Sequence, residues 1–267
     1  GAAWYRQWLE LPAGIEQKET ALRFDAVSKI AEVYINGKLA GKHIGMFGEF
    51  LVDGKGLFRA GKNLVTVKVV RDYVKDIKDA GKVVDVAVSV EVTNKMLKDL
   101  AHGFYGDDPA GIWQPVSLLI TEPLAIKDVF IQPGLTGAGF DITVKNASAK
   151  DQTFTVATRI GNNKTLYNGK ALQGSVIKAG AEKTLHYEVD HLQPLLWSPQ
   201  TPNLYRFNFA LESNGHITDS TTITSGFRTF EAKDGFFYLN GRRYWLRGGN
   251  QTPFALAPND TELAEKF

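Results

Sequence analysis

Apolar and polar residues alternate with a period of two along most of this chain. Such alternation indicates β-strands that bury one face. Turn residues separate the strands at short, even spacing, which is typical of antiparallel sandwiches rather than of βαβ units. The sequence therefore predicts an all-β protein, with strands at 21–26, 30–35, 63–70, 83–92, 116–120, 127–132, 140–145, 153–160, 184–189, 204–211 and 217–224.

Three Asn-Gly pairs stand between apolar segments, at Asn36-Gly37, Asn168-Gly169 and Asn240-Gly241. A type I′ turn needs positive φ at both central residues, which Asn and Gly adopt most readily. We therefore predict a two-residue hairpin at each pair.

Helical patterns are few. Residues 93–102 could form two turns, with Met96, Leu97 and Leu100 on one face. Residues 258–267 begin with a capping residue and acidic side chains in the first turn, as helices often do. Because the chain stops inside this second pattern, we interpret it as a fragment of a longer protein.

Composition narrows the class of protein. The chain has 267 residues, of which 43% are hydrophobic and 22% charged, values typical of a folded globular protein. A net charge of +2 gives no reason to expect nucleic acid or a membrane as a partner. The absence of cysteine excludes disulfides and thiolate metal sites. The sequence predicts no cofactor and no metal site.

The segment Gly56–Lys62 matches the phosphate-binding pattern GxxxxGK. However, Asn63 stands where that motif needs Ser or Thr for Mg²⁺, and a strand pattern follows where a helix should begin. We therefore interpret the segment as a lysine-bearing turn.

Other polar and aromatic residues have a functional and a structural interpretation. Asp107 and Asp108 could bind a cation, but a solvated turn is favoured. His43 could form a functional hydrogen bond, but a packing role in its glycine-flanked loop is favoured. The aromatic rings that could stack on sugars are more simply explained as core residues, namely Trp113, Trp197 and Trp245.

Four groups of segments occur in a specific order along the chain. Together they resemble glycoside hydrolase family 2, which contains β-galactosidases, β-glucuronidases and β-mannosidases. The groups are 23–27, 31–37 and 41–47; Gly-Ile-Trp-Gln-Pro-Val at 111–116; Leu-Trp-Ser-Pro at 196–199 with Pro-Asn-Leu-Tyr at 202–205; and Gly-Phe-Arg at 226–228 with 237–241 and 246–250.

This resemblance implies a sugar-binding-like jelly-roll β-sandwich at 1–124, an immunoglobulin-like β-sandwich at 125–228 and the truncated start of a catalytic (β/α)8 barrel at 229–267. Family members cleave with retention and use two carboxylates on later barrel strands. The acid/base normally follows an asparagine, and this chain contains no Asn-Glu dipeptide. We therefore predict that neither catalytic carboxylate lies within the 267-residue chain.

The resemblance also suggests substrate-binding residues. The segment after the first barrel strand runs toward the sugar, which makes Arg247 and Asn250 the candidates. An ion-pair role for Arg247 within the barrel wall is the alternative. Many members have a histidine-containing segment after Asn250, whereas this chain has Gln251-Thr252, so the sugar stays open.

The resemblance implies the non-catalytic N-terminal portion of a retaining exo-acting glycoside hydrolase with a carbohydrate substrate. A periplasmic or secreted location would fit this function, and a homo-oligomer is left open. A stand-alone carbohydrate-binding module is the alternative, and a structural adhesin is a third. The segment 229–267 favours the enzyme, because a binding module has no use for the start of a barrel.

Overall fold

The computed structural model describes residues 2–45, 47–70 and 111–248. The predicted strand at 83–92 and the predicted helices at 93–102 and 258–267 lie outside the described residues. The strands, in chain order, are β1 (Ala2–Leu11), β2 (Glu19–Phe24), β3 (Val27–Ile35), β4 (Lys38–Gly45), β5 (Phe50–Asp53), β6 (Gly61–Val70), β7 (Gly111–Ile112), β8 (Val116–Thr121), β9 (Leu124–Pro133), β10 (Ala138–Asn146), β11 (Gln152–Gly161), β12 (Thr165–Ile177), β13 (Glu182–Val189), β14 (Tyr205–Ser213), β15 (His216–Ser225), β16 (Phe230–Lys233), β17 (Phe236–Leu239) and β18 (Arg242–Tyr244).

The predicted all-β fold class is confirmed. The described helical structure is a single short 3-10 turn at Ile15–Gln17. The chain forms two compact units, and among the described residues the first ends at Ile120 and the second spans Thr121–Gly248.

The first unit is a sandwich of two antiparallel sheets. One sheet has the order β1-β6-β3-β4 with β7 paired to β3, and the other has the order β5-β2-β8. Alternate residues of β2, β3 and β6 are buried, as the period-two pattern predicts. The core between the sheets includes Leu22, Phe24, Val33, Val52, Phe58 and Val67.

The second unit contains a sandwich of seven strands. A sheet of order β13-β10-β9 faces a sheet of order β12-β11-β14-β15. Phe140 of the first sheet packs against Phe207 and Phe209 of the second, with ring centroids 6.1 and 5.3 Å apart. Aromatic contacts of this kind add to the stability gained from burying apolar area.

A separate antiparallel sheet of order β16-β17-β18 follows the sandwich of the second unit. Phe230 and Phe237 stack on one of its faces, with ring centroids 5.5 Å apart. Residues 245–248 continue from β18 without regular secondary structure.

Two of the three predicted hairpins are confirmed. Asn36 and Gly37 have φ of 49° and 80° between β3 and β4, and Asn240 and Gly241 have φ of 53° and 73° between β17 and β18. Each pair forms the two-residue loop that a type I′ turn requires.

The predicted hairpin at Asn168-Gly169 is wrong, because both residues lie inside β12. Asn168 pairs with Arg159 and Gly169 with Thr158 in the ladder between β11 and β12. A Cβ atom at Gly169 would lie 2.3 Å from the hydroxyl oxygen of Tyr167. Glycine here leaves room for the Tyr167 side chain within a strand and does not mark a turn.

Candidate functional site

The segment after β18 contains the substrate-binding residues that the sequence suggests. Arg247 is exposed there and makes no hydrogen bond or ion pair with any other described residue. The alternative ion-pair role for Arg247 therefore has no described partner. Asn250 lies outside the described residues, so the pairing of Arg247 with Asn250 in one site stays a prediction.

The turn between β17 and β18 fixes the sheet that precedes Arg247. The side-chain nitrogen of Asn240 donates a 3.0 Å hydrogen bond to the carbonyl of Trp197. The backbone and side chain of Asn240 also form two hydrogen bonds with Thr229, of 2.9 and 3.1 Å. Leu239 is buried beside them. The asparagine that permits the turn thus also holds it against the segment containing Trp197.

An arginine lies between two aromatic rings at the end of this sheet. The guanidinium carbon of Arg243 lies 3.5 Å from the ring centroid of Phe236 and 5.0 Å from that of Trp245. Such contacts orient the guanidinium and the rings mutually. Sequence reasoning overlooked Arg243, although its position between aromatic residues in the chain is a visible signal.

The expected core position of Trp245 is wrong for the described structure. Its side chain is 69% exposed, because β18 ends at Tyr244 and the indole stacks on Arg243 instead of entering a core. Trp113 and Trp197 are partly buried. Trp113 contacts Phe47 edge-on, and Trp197 stacks with Arg228, whose guanidinium carbon lies 4.8 Å from the ring centroid.

The family-like segments around Arg23 and His43 make separate polar and aromatic contacts in the first unit. Arg23 forms an ion pair with Asp25 at 3.0 Å and approaches Glu49 at 4.0 Å. The His43 ring stacks on Phe50 with centroids 3.9 Å apart. Burial lowers the pKa of His43, because a low-dielectric environment disfavours the charged imidazolium. This arrangement agrees with the packing role expected of His43.

The glycine-rich segment 56–62 has a structural role. Strand β6 begins at Gly61, so no helix N-terminus is present to bind a phosphate. Asn63 is fully buried, and its side-chain nitrogen donates to the carbonyls of Arg59 and Gly61 at 2.7 and 2.9 Å. The interpretation as a turn before a strand is confirmed, and Asn63 closes that turn.

The first unit also has an open apolar cleft between its two sheets. Its volume is about 470 Å³, and its lining comes mainly from β1, β2, β6 and β8. Core side chains such as Leu22, Phe24 and Val67 line it, together with Tyr5 and Leu118. Among the described residues, its lining has few polar groups and includes no Asp, Glu or His side chain.

The described part of the chain has neither a grouped metal-ligand set nor a membrane-spanning helix. Within 2–45, 47–70 and 111–248, no three His, Asp or Glu side chains are grouped to hold a metal ion. Asp107 and Asp108 lie outside these ranges. The same described residues include no helix of the length and apolar character needed to cross a membrane.

Two family models match the chain in succession. The model "Glycosyl hydrolases family 2, sugar binding domain" matches residues 1–122, and the model "Glycosyl hydrolases family 2" matches residues 124–228. Together they cover both described sandwiches of this all-β protein. The chain belongs to glycosyl hydrolases family 2.

Similar curated proteins are much longer than this chain. A β-galactosidase of Thermoanaerobacter pseudethanolicus is 29% identical over 265 residues, which cover 93% of this chain and 31% of that protein. A β-glucuronidase of Bacteroides fragilis is 28% identical over 245 residues, which cover 86% of this chain and 32% of that protein. The chain thus spans about a third of the length of these relatives.

Solved structures show the same fold. A β-glucuronidase of Bacteroides uniformis superposes with a TM-score of 0.69 at 27% identity, covering 93% of this chain and 29% of that one. A family 2 member from Bacteroides cellulosilyticus gives a TM-score of 0.73 at 22% identity, covering 93% and 32% of the two chains. The latter similarity supports the fold alone.

Proposed function

We propose that this chain is the non-catalytic N-terminal portion of a retaining, exo-acting glycoside hydrolase. The observation that carries the proposal is the succession of two models from one hydrolase family over residues 1–122 and 124–228. The β-galactosidase and β-glucuronidase relatives, which are about three times as long, support it. The substrate class of the whole protein is then a glycoside, with the sugar undetermined.

The proposed chemistry needs two carboxylates. In a retaining enzyme one acts as acid and base and the other as nucleophile, about 5–5.5 Å apart. The chain has no Asn-Glu dipeptide, the pair in which the family resemblance places the acid/base. We therefore assign the catalytic carboxylates to a part of the natural protein outside the 267-residue chain. The two sandwiches then have a supporting role.

Under this proposal, Arg247 is a residue of the chain that binds the substrate. Its exposed guanidinium has no described partner and can donate to sugar hydroxyls or to a substrate carboxylate. The preceding sheet, anchored through Asn240, holds the start of the segment that contains it. Asn250 is proposed as a second donor and acceptor for hydroxyls.

The natural full-length protein tests this proposal. We expect it to hydrolyse one or more nitrophenyl β-glycosides, and NMR of the first-formed product should show the β-anomer. Inversion, or a full-length protein without a carboxylate pair, would overturn the proposal. The second outcome would favour the stand-alone carbohydrate-binding module.

Variants of the same full-length protein test Arg247. Arg247→Ala should lower kcat/KM by roughly ten- to a hundredfold, the loss expected for a charge-assisted hydrogen bond. Lys233→Ala is the matched control, because Lys233 is an exposed cation in the sheet β16-β17-β18. Equal effects of the two changes would contradict a substrate-binding role for Arg247.

A further inference from the structure

Two tryptophans project from the outer face of the first unit's larger sheet. Trp4 and Trp8 lie on β1 and are 55% and 62% exposed. They are four residues apart, so they share one face of the strand, with about 13 Å between them. Isolated exposed apolar residues are common, but two large indoles aligned on one face of a sheet call for an explanation.

The neighbouring strands place polar groups beside these rings. Lys68 of β6 lies opposite Trp4 in the ladder, and Glu32 of β3 lies opposite Lys68. The Lys68 ammonium is 6.0 Å from the Trp4 ring centroid. The Tyr34 ring is also 6.0 Å from the Trp4 ring, between centroids. A continuous row of aromatic, cationic and anionic groups therefore crosses three strands.

Glu32 is the centre of the polar part of this row. Its carboxylate oxygens lie 2.9 Å from the Lys42 ammonium and 3.5 Å from that of Lys68. The Tyr34 hydroxyl donates to it at 3.2 Å. These groups, with the Lys42 hydrogen bond the largest cause, lower the pKa of Glu32. The face therefore presents both hydrogen-bond donors and a permanent acceptor.

The row includes a cation on β1. Arg6 projects between Trp4 and Trp8 on β1 and makes no hydrogen bond or ion pair with another described residue. Lys42 and Lys68 lie beside the carboxylate of Glu32, and Glu10 is also exposed on this face of β1. Arg6 is therefore a cation next to two exposed indoles without an ion-pair partner among the described residues.

We propose that this surface, formed by Trp4, Arg6, Trp8, Glu32 and Lys68 and here called the aromatic face, binds an acidic oligosaccharide. Indole rings stack on the C–H faces of sugar rings. The distance between the Trp4 and Trp8 side chains suits an oligosaccharide of a few sugar units and exceeds the length of a single sugar ring. Sugar hydroxyls both donate and accept hydrogen bonds. They can therefore donate to the Glu32 carboxylate and accept from the Lys68 ammonium. Arg6 can bind a sugar carboxylate with two parallel hydrogen bonds. The proposal does not depend on the proposed hydrolase activity.

Other partners fit the aromatic face less well. A protein partner would favour a contiguous apolar centre, whereas charged side chains separate these two indoles. Single-stranded DNA could stack on the rings, but its backbone has no hydroxyl to donate to the Glu32 carboxylate, whereas the sugar units of an acidic oligosaccharide do. An acidic oligosaccharide uses the donors, the Glu32 acceptor and the Arg6 cation together.

Calorimetry on the 267-residue chain tests the proposal with three probes: a galacturonate oligomer, a neutral cello-oligosaccharide of equal length and a short DNA strand. We expect the galacturonate oligomer to bind most tightly and to weaken at high salt, because exposed charges are screened. In NMR spectra, the indole N–H signals of Trp4 and Trp8 should shift, and that of Trp197 should not.

Variants localise the binding. Trp4→Ala and Trp8→Ala should each weaken galacturonate binding by about tenfold, as the loss of one aromatic stack predicts. Arg6→Gln should weaken it and reduce its salt dependence. Leu51→Ala, which removes another exposed apolar residue of the same unit, is the control and should leave affinity unchanged.

Several results would overturn the proposal. They are no galacturonate binding at millimolar concentration, tighter binding of the neutral sugar or the DNA, and an equal loss of affinity in Leu51→Ala and the tryptophan variants. A shift of the Trp197 signal without shifts of Trp4 and Trp8 would also overturn it.

Discussion

The side-chain nitrogen of Asn36 donates a 2.8 Å hydrogen bond to the side-chain oxygen of Asn63. Asn36 is the first residue of the β3–β4 turn, and Asn63 lies near the start of β6. The same Asn63 oxygen accepts from the backbone of Arg59 at 3.0 Å, and the Asn36 oxygen accepts from the backbone of Leu64 at 2.9 Å. Two asparagines thus join a hairpin turn, a glycine-rich loop and a central strand.

We predict that Asn63→Ala lowers the free energy of unfolding of the first unit by about 2–3 kcal/mol. The change removes four hydrogen bonds at a fully buried position and leaves backbone groups without partners. Hydrogen exchange of β3 and β6 amides in increasing urea measures this unit separately. Lys62→Ala, an exposed neighbour, should change it by less than about 0.5 kcal/mol. An equal effect of both changes would show that the hydrogen bonds of Asn63 add nothing to the free energy of unfolding.

We predict that Asn240→Gly loosens the β16-β17-β18 sheet, whereas Asp234→Gly does not. Both positions begin a two-residue turn with positive φ, which glycine adopts without strain. However, Asn240 also bonds Trp197 and Thr229 through its side chain, and Asp234 makes no hydrogen bond with a described residue. Limited proteolysis should cut Asn240→Gly several times faster than the Asp234→Gly control. Equal rates would mean that the turn conformation alone holds the sheet.

We predict that His186 and His43 titrate on opposite sides of the ordinary histidine pKa. Hydrogen bonds to Asp141 and Glu188 raise the pKa of His186, whereas burial lowers that of His43. The contribution of His186 to stability is therefore full below about pH 6.5 and is lost as pH rises through its raised pKa. The contribution of His43 to stability has the opposite pH dependence. It is full above about pH 6.5 and is lost as pH falls through the lowered pKa of His43.

NMR titration of the imidazole signals tests this pair, with assignment by single His→Gln variants. Asp141→Asn should return the His186 pKa toward its ordinary value, because it removes the main partner, 2.7 Å away. Asp128→Asn, on the adjacent strand β9, is the control and should leave it unchanged. A His186 pKa below that of His43 would contradict the structural assignment.

The turns show what local sequence determines. Asn36-Gly37 and Asn240-Gly241 were predicted correctly, because each pair separates two strands that pair with each other, β3 with β4 and β17 with β18. At Asn168-Gly169 the local signal failed, since β12 begins at Thr165 and the ladder with β11 continues through the pair. Asn214-Gly215 and Asp234-Gly235 form further positive-φ turns that carry the same visible signal and were overlooked.

The candidate site shows what local sequence does not determine. The period-two pattern located β2, β3 and β6 but not β1, where Trp4, Tyr5, Arg6 and Gln7 are exposed on both faces and the alternation is lost. Trp245 was expected in a core because its neighbours alternate, but only the length of β18 decides that it is exposed. Arg247 could be named from its position in a motif, whereas its lack of a described partner required coordinates.

We propose that these two sandwiches support a glycoside hydrolase without containing its catalytic carboxylates. The most direct test is hydrolysis of a panel of nitrophenyl glycosides by the purified 267-residue chain and by the natural full-length protein, side by side. We predict turnover by the full-length protein and none above the uncatalysed rate by the 267-residue chain. Turnover that copurifies with the 267-residue chain would place both carboxylates within it and contradict this proposal.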